Sequence, residues 1–163
     1  MVTRRGKHER QEEHYTKMIR STMETPAWRA LSTTAQALYP WLKLEWHGPG
    51  NNNNGKIRLS LRQAAERLGV VEETAGKAFH DLQAKGFIVL TRMAHLGVEG
   101  MGKSSEFELT ELKMPNSEKP DGRKLYRNWR PGNDFPVIKM PARNPFGRGG
   151  KTKNPSKKIR RVV

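Results

Sequence analysis

The sequence predicts an α+β fold, mainly α with a small β-hairpin, and three observations predict it. Residues 61–68 and 72–85 carry helical signals on either side of a glycine corner at Gly69. Ser60 and Gln63 stand at the spacing of a capping box, which satisfies two orphan backbone donors and fixes where the first helix begins. Behind the second helix, residues 87–91 and 106–110 read as β-rich or alternating runs, separated by a loop over 96–103 that glycines punctuate.

Taken in order, residues 1–14 are charged, broken by Gly6, and expected to be a mobile N-terminal arm. A short helix is expected over 15–23, with Tyr15, Met18, Ile19 and Met23 on one side and the two methionines as core filler. Thr25-Pro26 opens the next helix with a hydroxyl cap and a proline at the first position. Trp28, Leu31, Ala35, Leu38 and Leu42 then form its buried side, with a fresh start at Ser32 and a kink between Gln36 and Pro40. Trp41 and Trp46 fit core or dimer packing, with base stacking as the alternative. Residues 47–55 read as a loop whose asparagines form a solvated connector or, alternatively, meet phosphate or bases.

Residues 56–59 alternate as a first short strand. In the helix over 72–85, Ala75, Ala78, Phe79 and Leu82 make one buried stripe, opposite Glu72, Glu73, Gly76, Lys77 and His80. Gly86 ends that helix in a left-handed conformation, as Gly69 ends the one before it. Residues 113–123 read as a linker, which closes a domain spanning 15–112. An aromatic-basic arm follows over 124–140, where Tyr126, Trp129 and Phe135 interleave with Lys124, Arg127 and Arg130. Such a mixture suits either a stacking platform for single strands or an arm packed back on the domain or a second subunit. Residues 141–163 contain no acid and are expected to be a disordered basic tail.

Two helices joined through a glycine corner are a helix-turn-helix or an ordinary αα-hairpin. A hairpin directly behind them is the wing of a winged helix, with residues 56–59 as its third strand. Ser60, Arg62, Ala65, Leu68, Gly69, Val70, Thr74, Ala78, Leu82, Lys85, Gly86, Phe87 and Ile88 fall in an order and spacing that resembles winged helix-turn-helix regulators. The likeness is to the bacterial GntR-like and MarR-like groups, and it covers residues 60–90. It departs at Val71, where those groups carry a Ser or Asn cap, and at Glu72 and Glu73, where they often carry basic or hydroxyl residues. The resemblance implies a winged helix-turn-helix fold and a double-stranded DNA partner.

Charge distribution points the same way. Of a net +15, residues 25–114 hold eleven Lys/Arg against nine Asp/Glu, while residues 115–163 hold fourteen against three. A near-neutral domain is thus joined to a polycation, which attracts phosphate whatever the base sequence. A solubilising tail or an anionic membrane contact is the alternative. Zero cysteines exclude disulfides and thiolate metal sites. No apolar run is long enough to span a bilayer and the polar start has no signal-peptide core, so a cytoplasmic, nucleoid-associated protein is expected. The five histidines show no metal-ligand spacing, and no Walker loop, nucleophile elbow or deaminase signature is present, so neither enzyme activity, cofactor nor metal is expected.

The candidate nucleic-acid contacts follow. Arg62, at the start of the first motif helix, suits a phosphate and matches an arginine position of the resembling groups. Lys77 and His80 are the outward groups of the second helix, either within reach of base edges or phosphates or part of a solvated helix face, and Thr74 joins them as a residue expected to supply sequence preference. Arg92 and Lys103 flank the hairpin as weak contacts, opposed by Glu99, Glu106 and Glu108, and Arg127 and Arg130 lie in the arm. Arg148, Lys151, Lys153, Lys157, Lys158, Arg160 and Arg161 supply the tail. The expectation is a bacterial or phage transcription regulator, with a homodimer possible. A protein-interaction module that docks a protein partner, or a plasmid or phage replication factor, is the alternative.

Overall fold

A computed structural model describes residues 13–98 and 100–140. The tail expected over 141–163 and most of the arm expected over 1–14 lie outside the described residues. Within them the protein is mixed α+β, with five helices and a small antiparallel sheet. No helix among them is long and apolar enough to cross a membrane.

Residues 13–19 adopt no regular structure and lead into one helical turn, α1 (Arg20–Met23). The expected helix over 15–23 is therefore corrected. Tyr15, Ile19 and Met23 are exposed, and the Lys17 carbonyl accepts a hydrogen bond from the buried Lys43 ammonium. An amphipathic stripe holds a helix mainly through the surface that receives it, and here only Met18 packs on the core.

Helix α2 (Pro26–Ala30) begins as expected, with Thr25 Oγ1 accepting from Trp28 N at 3.2 Å and Pro26 at the first position. Ser32 restarts the chain as α3 (Thr33–Leu44), its Oγ accepting from Ala35 N at 3.2 Å. That helix runs without interruption through Pro40, whose missing N–H leaves the Gln36 carbonyl without its usual helical partner.

The asparagine run is neither a solvated connector nor a free set of polar groups. Asn52 Oδ1 accepts from Trp46 Nε1 at 2.9 Å, and Asn53 Nδ2 donates to Glu45 O at 3.0 Å. Asn54 is 1% exposed. Its Oδ1 accepts from Leu109 N at 2.8 Å, while its Nδ2 donates to Leu109 O at 3.0 Å and Leu112 O at 2.9 Å. One side chain therefore does for the end of the last strand what a further strand would do.

That strand is central to the sheet. β1 (Ile57–Arg58) and β2 (Ile88–Arg92) flank β5 (Glu106–Leu109), all antiparallel, with Ile57 and Leu90 both opposite Phe107. The register shifts between Leu90 and Arg92, a bulge at Thr91, and beyond it β3 (His95–Leu96) pairs with β4 (Gly102–Lys103) as a separate ribbon. Between β1 and β2 lie α4 (Leu61–Leu68), with both halves of its capping box formed and Gly69 left-handed at φ 66°, and α5 (Glu72–Ala84). Phe79 of α5 stacks on Phe107 at 5.1 Å, which closes the helices onto the sheet.

Glu106 and Glu108 are not wing charges, as the alternation over 106–110 implied. Both are buried in β5, where Arg58 binds Glu106 and Arg123 forks onto Glu108 at 2.8 and 2.6 Å. Replacing Asn54 with Ala strands the buried Leu109 amide and removes a donor from the Leu109 and Leu112 carbonyls, the first of which keeps the Leu112 amide at 3.1 Å. It is expected to lower unfolding stability by about 3 kcal/mol in a denaturant titration, against a loss below about 1 kcal/mol if the side chain is incidental.

Candidate nucleic-acid interface

The surface of α5 divides along its length. At the N-terminal half, Glu73 and Lys77 are exposed and pair with each other at 3.0 Å, and Thr74 is half-buried beside them. An exposed (i, i+4) pair contributes only a few tenths of a kcal/mol, so a competing anion opens it at little cost. Gly76, expected on the outward face, is buried instead. A Cβ there would meet Leu61 Cδ2 of α4 at 3.9 Å, so helix packing covers this position.

The C-terminal half is covered by the chain's own arm. Residues 135–140 run back along α5, beginning where Phe135 N donates to Ala84 O at 2.9 Å. Gln83 then grips Ile138 with both ends of its amide, donating to the carbonyl at 3.1 Å and accepting from the N–H at 3.0 Å. Met140 N donates to His80 Nε2 at 3.0 Å. His80 therefore does not project outward as the sequence implied. It holds the arm, and burial, with help from the nearby Lys139 charge, lowers its pKa from the ordinary 6.5.

The arm is anchored by its aromatics. Tyr126, in a 3-10 turn over Leu125–Asn128, stacks on Phe87 at 4.7 Å with the rings 2° from parallel. Trp129 is buried under the Lys85 ammonium, and its Nε1 donates to Asp134 Oδ1 at 2.7 Å. Phe135 fills the space above Gly86, where a Cβ would come within 2.7 Å of the ring. Of the two sequence readings of these rings, packing back on the domain describes them. Residues 113–123 lead into the arm by lying against the sheet, with Gly122 on the Thr110 and Glu111 backbone and Arg123 on Glu108.

The remaining candidates are scattered around this arrangement. Arg62 is exposed on α4 and paired with Glu66 at 3.1 Å. Arg92 and Lys103 are exposed at the base of the β3–β4 ribbon, and Arg127 and Arg130 are exposed on the arm. A cleft of about 310 Å³ brings Arg62, Ser60 and Glu72 together with Ala94 and Ser104, which flank the ribbon, and Met140 lies in its wall. The arm thus delivers the chain to the meeting point of the starts of α4 and α5 and the ribbon. Arg148, Lys151, Lys153, Lys157, Lys158, Arg160 and Arg161 lie outside the described residues.

Sequence reasoning missed Gln83, the residue that fixes the arm, because a glutamine on a helix ordinarily reads as solvated surface. Its position beside the apolar stripe was the one available signal. Comparison with known proteins finds no matching family model, no matching curated protein and no matching solved structure.

Because neutral His80 accepts the Met140 amide and imidazolium has no acceptor, docking of the arm depends on pH. The folded value lies below the ordinary 6.5, so this contribution is complete above that value and lost as pH falls through the lowered one. The protection factor of the Met140 amide, its exchange rate corrected for the intrinsic slowing in acid, is expected to fall in mild acid. His80→Gln, which keeps an acceptor without titrating, is expected to flatten that profile; an unchanged acid loss of protection in this variant contradicts the assignment.

Proposed function

We propose that the chain is a non-enzymatic DNA-binding protein of winged-helix form, a bacterial or phage transcription regulator. In this reading α4, the Gly69 corner and α5 are the helix-turn-helix, the sheet with its β3–β4 ribbon is the wing, and α5 enters the major groove. The observation that carries it is the course of the arm. Met140, the last described residue before a run of eight Lys/Arg and no acid over 141–163, lies beside Arg62 and the starts of both motif helices. The cations are thereby rooted on the same side as the free half of α5, so one duplex meets both. Lys77 and Thr74 supply base-edge contacts once the Glu73 pair opens, Arg62 and Lys103 meet phosphate, and the tail supplies affinity.

Charge composition fixes how this is tested. Each phosphate contact adds roughly 0.9 to the slope of log affinity against log salt. A truncation after Met140 is expected to bind duplex DNA more weakly and with a slope shallower by about 3 or more, if four or more tail cations engage. Equal binding by both chains, or none by either at micromolar concentration, refutes the division between reader and tail.

A second reading has its own support in the start of α5, where exposed Val71 stands beside Glu72 and Glu73. An apolar residue beside two carboxylates suits a basic protein surface better than a phosphate backbone. Glu73→Arg separates the two. Duplex affinity raised by this variant, about twofold to tenfold over wild type, favours DNA. Loss of a captured basic partner with duplex affinity unchanged favours docking.

A further inference from the structure

We propose that the cleft between the N-terminal segment and the 3-10 turn over Leu125–Asn128 binds a small amphipathic anion, an apolar body of one or two rings bearing a single carboxylate or sulfonate. The cleft measures about 800 Å³, a volume within the range of roughly 300–1,000 Å³ that small-molecule sites occupy. Ile19, Trp46, Pro49, Leu112 and Tyr126 supply apolar wall.

Part of the wall is built from buried polar groups, Thr22, Lys43 and Glu111. Glu111 accepts from Thr22 Oγ1 at 3.0 Å, from Lys43 Nζ at 2.8 Å and, behind the wall, from the buried Tyr39 OH at 2.8 Å. Lys43 also donates to Lys17 O, which accounts for two of the three donors of an ammonium. A buried ion pair contributes little net stability compared with apolar packing. Its position in the wall of a cleft is explained if it organises that wall for a ligand.

The rim sets the sign of the ligand. Asp121 is taken by Lys124 and Glu111 by Lys43, whereas Lys17 and Arg127 form no ion pair among the described residues. Two positive charges are left facing an apolar cleft, which favours an anion with an apolar body over a neutral or cationic guest. Residues 1–12 are a poor occupant, with four Lys/Arg, two Glu, and only Met1 and Val2 apolar.

The test uses the full chain without DNA, so its outcome is separate from the regulator reading. Titration with 1-anilinonaphthalene-8-sulfonate near neutral pH is expected to saturate at one site with micromolar affinity and a blue-shifted emission. Arg127→Glu and Lys17→Glu are each expected to weaken that binding about tenfold, while the neutral N-phenyl-1-naphthylamine binds wild type and both variants within about twofold. Thr16→Trp, which fills the cleft, is expected to weaken both probes. The proposal fails if binding does not saturate, if the charge reversals leave sulfonate affinity unchanged, or if Thr16→Trp affects neither probe. It fails equally if deleting residues 1–12 raises affinity tenfold or more, because the cleft then belongs to that segment.

Discussion

The fold turns on a single ring. Phe87 meets Trp28 at 5.7 Å, Tyr39 at 5.4 Å and Tyr126 at 4.7 Å, so α2, α3, the start of β2 and the C-terminal arm share one aromatic cluster. Phe87 follows Gly86, whose φ of 79° turns the chain out of α5 and straight into the sheet. Glycine adopts that left-handed conformation without strain, which brings Phe87 to the start of β2. The first two contacts are edge-on and the third is stacked, arrangements that aromatic quadrupoles favour. The arm is thus held by the same residue that joins the helices to the sheet.

Around this cluster, buried charge is handled in pairs. The hydrogen bond from Arg58, ahead of its charge, holds the Glu106 carboxyl below the usual range and outweighs the opposing effect of burial. The hydrogen bond that Arg123 donates to Glu108 raises the pKa of the guanidinium. Burial, reinforced by Glu111, drives the Tyr39 hydroxyl far above its ordinary range, so it remains a donor to that carboxyl. Every buried side-chain nitrogen and oxygen among the described residues has a partner. These pairs tie residues 111–123 to the sheet, and so fix where the arm begins.

On the proposed reading, α5 serves two purposes that its length keeps apart. Its C-terminal half is a track for residues 135–140, gripped by Gln83 and His80, and its N-terminal half leaves Glu73 and Lys77 exposed. A reader confined to the first turns of the helix makes few base contacts, and a cationic extension rooted beside it makes up affinity without adding sequence preference.

The sequence by itself determined what local geometry decides. The capping box at Ser60, the left-handed glycines at 69 and 86, the Thr25-Pro26 and Ser32 starts and the Ala75–Leu82 stripe are all written in neighbouring residues, because caps and periodicity act over four or five positions. The coarse α+β arrangement followed from them. Only the tertiary structure decided which polar residues are interior. Asn54 bonds a strand 55 residues away, Lys43 meets Glu111 across 68 residues, and Gln83 meets Ile138 across 55. In sequence each of these looks like ordinary surface. Pairing compensates the burial of such a group only when the distant partner arrives, and nothing in the adjacent residues records that arrival.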